Sequence, residues 1–192
     1  MIGVHGKYRG REKARAAFVE RSAEALASLP GVGAVSVTGV EDIETTVEDP
    51  EDALNVIMAL LSDGSWAIGI GIAPRVGDAA DTAAARASAK AVGVKAGQVQ
   101  VVVDKQEPST DAADIAAAFA LMAHVLHKRT YEGREATSLV RRGMNQNEAA
   151  AELGISKQAM SQRLQAAGWP AEQAGWQLAL NLLIRAVQPA GA

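Results

Sequence analysis

Apolar positions recur along this chain at two spacings, one close to four residues and one of two residues. Residues 12–29 place Ala14, Phe18, Ala25 and Leu29 at helical spacing, and Pro30-Gly31 ends the run. Val35, Val37 and Val40 follow strand periodicity among small and polar residues. Ile43, Thr45 and Val47 alternate with Asp42, Glu44 and Thr46, so a second strand follows closely and the two can form a hairpin. Residues 50–62 return to helical spacing, with Leu54, Ile57, Met58 and Leu61 on one face and Asp63-Gly64 as the stop. Trp66, Ile68, Ile70 and Ile72 then alternate with Ala67, Gly69, Gly71 and Ala73. An Ala-rich helical segment covers residues 78–92, Val99, Val101 and Val103 form a last strand, and Glu107-Pro108-Ser109 marks a boundary.

With Ile2-Gly-Val as an optional first strand, the order begins βαββαβ. That predicts a ferredoxin-like arrangement with helices over one sheet face. From residue 111 onward only helical patterns remain. Residues 111–129 are almost wholly apolar (Ile115, Phe119, Leu121, Met122, Val125, Leu126), as in a core or interface helix, and read as a connector. Residues 132–142, 146–153, 156–167 and 171–187 complete a helical module. The expected fold class is α+β: an α/β domain over residues 1–106, a connecting helix over 107–131 and an all-α domain over 132–192. No internal repeat is present.

The segment from Gln146 to Leu164 carries the sharpest motif. Asn145 and Glu148 have capping-box spacing. Ala149 and Ala150 are small where two helices must approach. Gly154 falls where a tight turn needs a positive φ, Ile155 plugs the corner and Ser156 caps the next helix. Met160 and Leu164 face inward, which leaves Lys157, Gln158, Ser161 and Gln162 outward near the helix start. This pattern resembles the helix-turn-helix of bacterial regulators. It predicts a recognition helix in the major groove of double-stranded DNA, with Gln suited to adenine, Lys to guanine, and Ser156 and Ser161 to phosphates. The expected DNA-binding residues are Gln146, Ser156, Lys157, Gln158, Ser161, Gln162 and Arg163. The competing reading is an ordinary helical hairpin.

The last helix suggests a homodimer. Gln173, Gln177, Asn181 and Arg185 make one narrow polar stripe, and Trp176, Leu178, Leu180, Leu182, Leu183, Ile184 and Val187 fill the rest of its circumference. That is more apolar surface than three preceding helices can cover, and a two-fold dimer suits paired half-sites. The competing reading packs this helix back on its own chain.

Charge sharpens the division. The net formal charge is −3, but residues 128–170 hold seven Lys or Arg against four Glu, a net of +3, as phosphate binding requires locally. Cysteine is absent, which excludes disulfides and thiolate metal sites. No apolar leader opens the chain, and no run reaches the roughly 18 residues of a membrane span. The expectation is a soluble cytoplasmic, nucleoid-associated protein that engages no membrane.

Arg11, Gly39-Val-Glu-Asp-Ile-Glu, Asp49-Pro-Glu-Asp-Ala-Leu and Trp66-Ala-Ile-Gly-Ile-Gly-Ile resemble the SatD family. The resemblance implies a nucleotidyl-cyclase-like α/β domain joined to a carboxy-terminal helix-turn-helix. Cyclase-like catalysis would need a metal-binding aspartate on the first strand, and Ile2-Gly-Val-His-Gly-Lys-Tyr offers none. Asp42 and Glu44 on the hairpin lack that partner, so the domain is expected to be catalytically empty, with no enzyme activity and no cofactor. A small-molecule or nucleotide ligand on this domain stays open.

Other signals carry less. The acidic run Glu41, Asp42, Glu44, Glu48, Asp49, Glu51 and Asp52 fits a solvated hairpin tip and helix start better than a Mg²⁺ or Ca²⁺ site. Gly69-Ile-Gly71 opens no helix, so it reads as close helix–sheet packing rather than a phosphate cradle. His5, His124 and His127 share no metal-ligand spacing. Three functions follow: a DNA-binding transcriptional regulator, an architectural DNA-binding protein, and a cyclase-like enzyme with an accessory DNA-binding module.

Overall fold

The computed structural model describes residues 1–74, 78–105 and 109–188. Five strands form one sheet: β1 (Ile2–Tyr8), β2 (Ser36–Val37), β3 (Asp42–Val47), β4 (Trp66–Ile72) and β5 (Val99–Val103). Their order is β2-β3-β1-β4-β5. β1 runs antiparallel to β3 and to β4, β2 runs antiparallel to β3, and β5 pairs parallel with β4. The helices among the described residues are α1 (Arg15–Ala27), α2 (Pro50–Asp63), α3 (Asp78–Ala91), α4 (Asp111–His127), α5 (Tyr131–Arg141), α6 (Gln146–Glu152), α7 (Lys157–Ala166) and α8 (Trp169–Val187). The fold is a mixed α+β body with a carboxy-terminal helical region. The boundary expected at Glu107-Pro108 lies outside the described residues.

Strand alternation sets the two sheet faces. Ile2, Val4, Ile43, Val47, Trp66, Ile68, Ile70 and Ile72 point to one face and enter the main core with α1, α2 and α4. The other face carries Gly3, Gly69 and Gly71, against which α3 packs. A Cβ on Gly71 would strike the carbonyl of Ala84 and the amide of Ser88, so α3 approaches as closely as it does because β1 and β4 present glycine there. Helices therefore cover both faces, which corrects the expectation of one covered face. The strand expected across Val35, Val37 and Val40 shortens to Ser36–Val37, and Val40 is exposed. α1 also turns differently from its sequence pattern: Val19, Ala23 and Leu26 are buried, whereas Ala14 and Ala25 are exposed.

α4, expected as a connector, packs into the body. Ile115, Phe119, Met122 and Leu126 lie in the same core as the strands, and Leu121 on the opposite side is exposed. α8 packs along α4 and against α2, burying Ala179, Leu183 and Ala186. Of the seven apolar residues expected on that face of α8, Leu183 is buried within the chain and Trp176, Leu180, Leu182 and Val187 are partly buried. Leu178 and Ile184 stay exposed, at 48% and 41%. The polar stripe Gln173, Gln177, Asn181 and Arg185 is exposed as its spacing implied.

One polar clasp joins α4 and α8. Asp111, buried at the start of α4, accepts from Lys105 Nζ at 2.7 Å and from Arg185 Nε at 2.9 Å. Lys105 first, then Ser109, with Arg185 adding, hold its carboxyl down at about 2, against the upward push of burial.

Because Leu183 is fully buried and Leu178 is not, their truncations should differ. Urea denaturation of Leu183→Ala is expected to show a loss of about 2–5 kcal/mol. Leu178→Ala should cost less than about 0.5 kcal/mol. Equal losses would refute the orientation of α8 described here.

Candidate nucleic-acid interface

α5, α6 and α7 form a unit with its own small core of Ala136, Leu139, Ala149, Ala150, Met160 and Leu164. Val140, Met144, Leu153, Ile155 and Trp169 pack around it. Local sequence explains each boundary. Asn145 Oδ1 accepts from the amides of Asn147 and Glu148 at 2.9 and 3.1 Å, and Glu148 Oε2 accepts from the Asn145 amide at 2.9 Å. These bonds complete a capping box and satisfy amides that a helix start leaves unpaired.

At the other end of α6 the Ile155 amide donates to the Ala150 carbonyl at 3.0 Å, and the Gly154 amide donates to Ala151 at 3.1 Å. That closure needs Gly154 at φ +63°, where a side chain would be strained. Ser156 Oγ accepts from the Ala159 amide at 3.1 Å and starts α7. The side chains of Ala149 and Ala150 are buried where α6 meets its neighbours, which their size permits.

Burial of Met160 and Leu164 fixes which side of α7 faces outward. Lys157, Gln158, Ser161 and Gln162 are exposed, with Lys157 at the amino-terminal edge. Among the described residues none of these four makes a side-chain hydrogen bond or ion pair. Gln165 lies three residues beyond Gln162 and four beyond Ser161, is equally exposed, and extends the same polar face. Sequence reasoning missed Gln165, although that spacing points to it. Gln146 is exposed in the first turn of α6. Ser156 is exposed but spends its oxygen on the α7 cap, leaving its hydroxyl proton free to donate.

Arg163 is not brought to this face. It is half-buried on the flank of α7 and lines a small cleft with Lys128, Thr130 and Glu132. Glu132 is held below the usual carboxylate range, first by its own backbone amide, then by the Thr130 side chain, with the Arg163 charge adding.

Not every cation counted in this region can reach a phosphate. Arg129, just past α4, is buried. Its Nε donates to the Ala167 carbonyl at the end of α7 at 2.7 Å, and its Nη2 lies 2.5 Å from Glu172 Oε2 on α8. Arg141, at the end of α5, meets the other Glu172 oxygen at 2.5 Å and stands 6.0 Å from the Trp169 ring centre. Two guanidinium groups thus share one buried carboxylate. Lys128, Arg134, Arg142 and Lys157 are the other exposed cations of this region. The basic surface is therefore smaller than the residue count implied.

On the sheet, Asp42 is partnered by side chains of β1. Asp42 Oδ1 lies 2.9 Å from His5 Nε2 and 3.4 Å from Lys7 Nζ, both on β1. Among the described residues no group of three or more His, Asp or Glu side chains is arranged to hold a metal ion. No helix among them is long and apolar enough to cross a membrane.

No family model, curated protein or solved structure matches the chain.

Removing the shared carboxylate would leave Arg129 buried without its counter-charge. Glu172→Gln is expected to cost about 3–5 kcal/mol in chemical denaturation. A cost below about 1 kcal/mol, the range of surface pairs, would show that the triad is not a buried junction.

Proposed function

We propose that this chain is a sequence-specific double-stranded DNA-binding protein, a bacterial transcriptional regulator, that reads the major groove with α7. In this reading α6, the Gly154 turn and α7 are a helix-turn-helix. The observation that carries it is the exposed face of α7: Gln158, Ser161 and Gln162, with Lys157 at its edge, have no side-chain partner among the described residues, while Met160 and Leu164 on the other side are buried. A polar face of that width suits base edges, because Gln offers a donor and an acceptor together and Lys a point charge. Gln146, Ser156 and the exposed cations Arg134 and Arg142 serve the phosphates. Arg163 is left with a flanking role.

The same proposal reads the body as ferredoxin-like and related to nucleotidyl cyclases, as the likeness to the SatD family implies. The strand order β2-β3-β1-β4, antiparallel throughout, supports it, with β5 added at the edge. His5 and Lys7 stand on β1 where a metal-binding carboxylate would be needed, and they take up Asp42 instead. The body is accordingly a non-catalytic platform. A two-fold dimer would present two α7 helices to adjacent half-sites about one helical turn apart. Leu178 and Ile184 are exposed apolar side chains on α8 open to such contact.

Selection of bound sequences from a random duplex library, followed by fluorescence anisotropy at several salt concentrations, tests the reading. Lys157→Ala, Gln158→Ala and Gln162→Ala should each weaken the selected site by about 1–3 kcal/mol and relax its sequence preference. A folded triple variant with unchanged affinity would sink the idea.

Incubation with ATP or GTP and Mg²⁺ or Mn²⁺ is expected to yield no cyclic nucleotide. Its formation, lost in Asp42→Asn, would overturn the non-catalytic reading of the body.

A further inference from the structure

A cleft of about 680 Å³ opens where the sheet body meets the helical region, within the range of roughly 300–1,000 Å³ common for small-molecule sites. α2 supplies Asn55, Met58 and Ser62, the end of α5 supplies Arg141, and α8 supplies Trp169 and Trp176. The two indoles are seven residues apart on one helix. They share a side two turns apart, about 10 Å along the axis. Both are only partly buried, so each leaves part of an indole surface on the cleft wall.

The charges of the cleft are uneven. Among the described residues, Arg141 and Glu172 are the only charged side chains on its wall. Both Glu172 oxygens are engaged, one by Arg141 and one by the buried Arg129. Two guanidinium groups against one carboxylate leave one positive charge. Arg141 bears it at the cleft, its side chain 44% exposed and lying near the Trp169 ring. Guanidinium groups have five donors, so Arg141 can bind a second carboxylate without releasing the first. A ligand cation, by contrast, would find no free acceptor carboxylate. A nucleoside triphosphate would find one surplus charge and no glycine-rich anion cradle.

The geometry points to a binding site for a planar aromatic monoanion, an aromatic carboxylate whose ring lies along Trp169 and Trp176 and whose charge meets Arg141. The site is separate from the proposed DNA-reading face, and its occupancy does not depend on that proposal. Because α2 belongs to the body and Arg141 to the α5–α7 unit, the bound anion bridges the two.

Fluorine NMR on the full-length chain without DNA tests this, with para-trifluoromethylbenzoate as the probe and its neutral benzamide and cationic benzylammonium analogues as controls. Saturable binding of the benzoate is expected at millimolar or lower concentration. The benzamide should bind roughly tenfold more weakly, the size of one charge-assisted hydrogen bond, and the benzylammonium more weakly still. Ser62→Trp fills the cleft without touching the ion triad and should abolish binding while the thermal transition is retained. Arg141→Gln should reduce benzoate binding to that of the benzamide and leave the benzamide unaffected. Absence of saturable benzoate binding, equal binding of all three probes, or unchanged binding in folded Ser62→Trp would each overturn the inference.

Discussion

The ion pair between Arg129 and Glu172 holds the two parts of this molecule in one arrangement. The α5–α7 unit buries only a handful of side chains in its own core, too few for a segment of about 40 residues to be secure alone. Docking makes up the difference, and Arg129 sets its geometry. The guanidinium leaves the end of α4, donates to the closing carbonyl of α7, approaches Thr137 on α5 and faces Glu172 on α8. A planar fork with fixed donor directions defines orientation in a way that an apolar contact does not. The cation also sits at the carboxy-terminal end of α7, where the helix dipole favours positive charge. Glu172 lies in the first turn of α8, where the same effect favours a carboxylate.

That junction explains the division of labour on α8. Trp169 at its start belongs to the small helical core, whereas Ala179, Leu183 and Ala186 belong to the core of the sheet body. The helix therefore runs from one unit into the other, and a shift of the α5–α7 unit must move the Trp169 end of α8 against α2. Arg185 near its far end is clasped by Asp111 and Asp114, which fixes α8 along α4. The cleft beside the triad exists because two separately packed units meet there along α8, and neither fills the space between them.

The sheet is built asymmetrically. One face is branched and aromatic, and the other presents Gly3, Gly69 and Gly71 beneath α3, so α3 approaches the backbone while α2 and α4 stand off on side chains. With α3 so close on one face, the layer of α2 and α4 on the other is what α8 can reach.

Much of the local structure was legible in the sequence. The capping box of Asn145 and Glu148, the Gly154 turn, the Ser156 cap and the inward Met160 and Leu164 all depend on residues within five positions of each other. So do the α2 face and the alternation along β4. Three features were not legible. α1 exposes Ala14 and Ala25 because Val19, Ala23 and Leu26 meet the core instead. α4 and α8 pack on each other, so part of the apolar surface that suggested a second subunit is covered by the chain itself. Arg129 counts as surface charge in any tally of residues, yet it is enclosed, with its backbone acceptor 38 positions away. Sequence determined the elements, their ends and the polar face of α7, since these follow from spacing and short-range hydrogen bonds. Tertiary structure decided which apolar faces meet and which charges lie inside, because both depend on partners far away along the chain, and local periodicity carries no record of them.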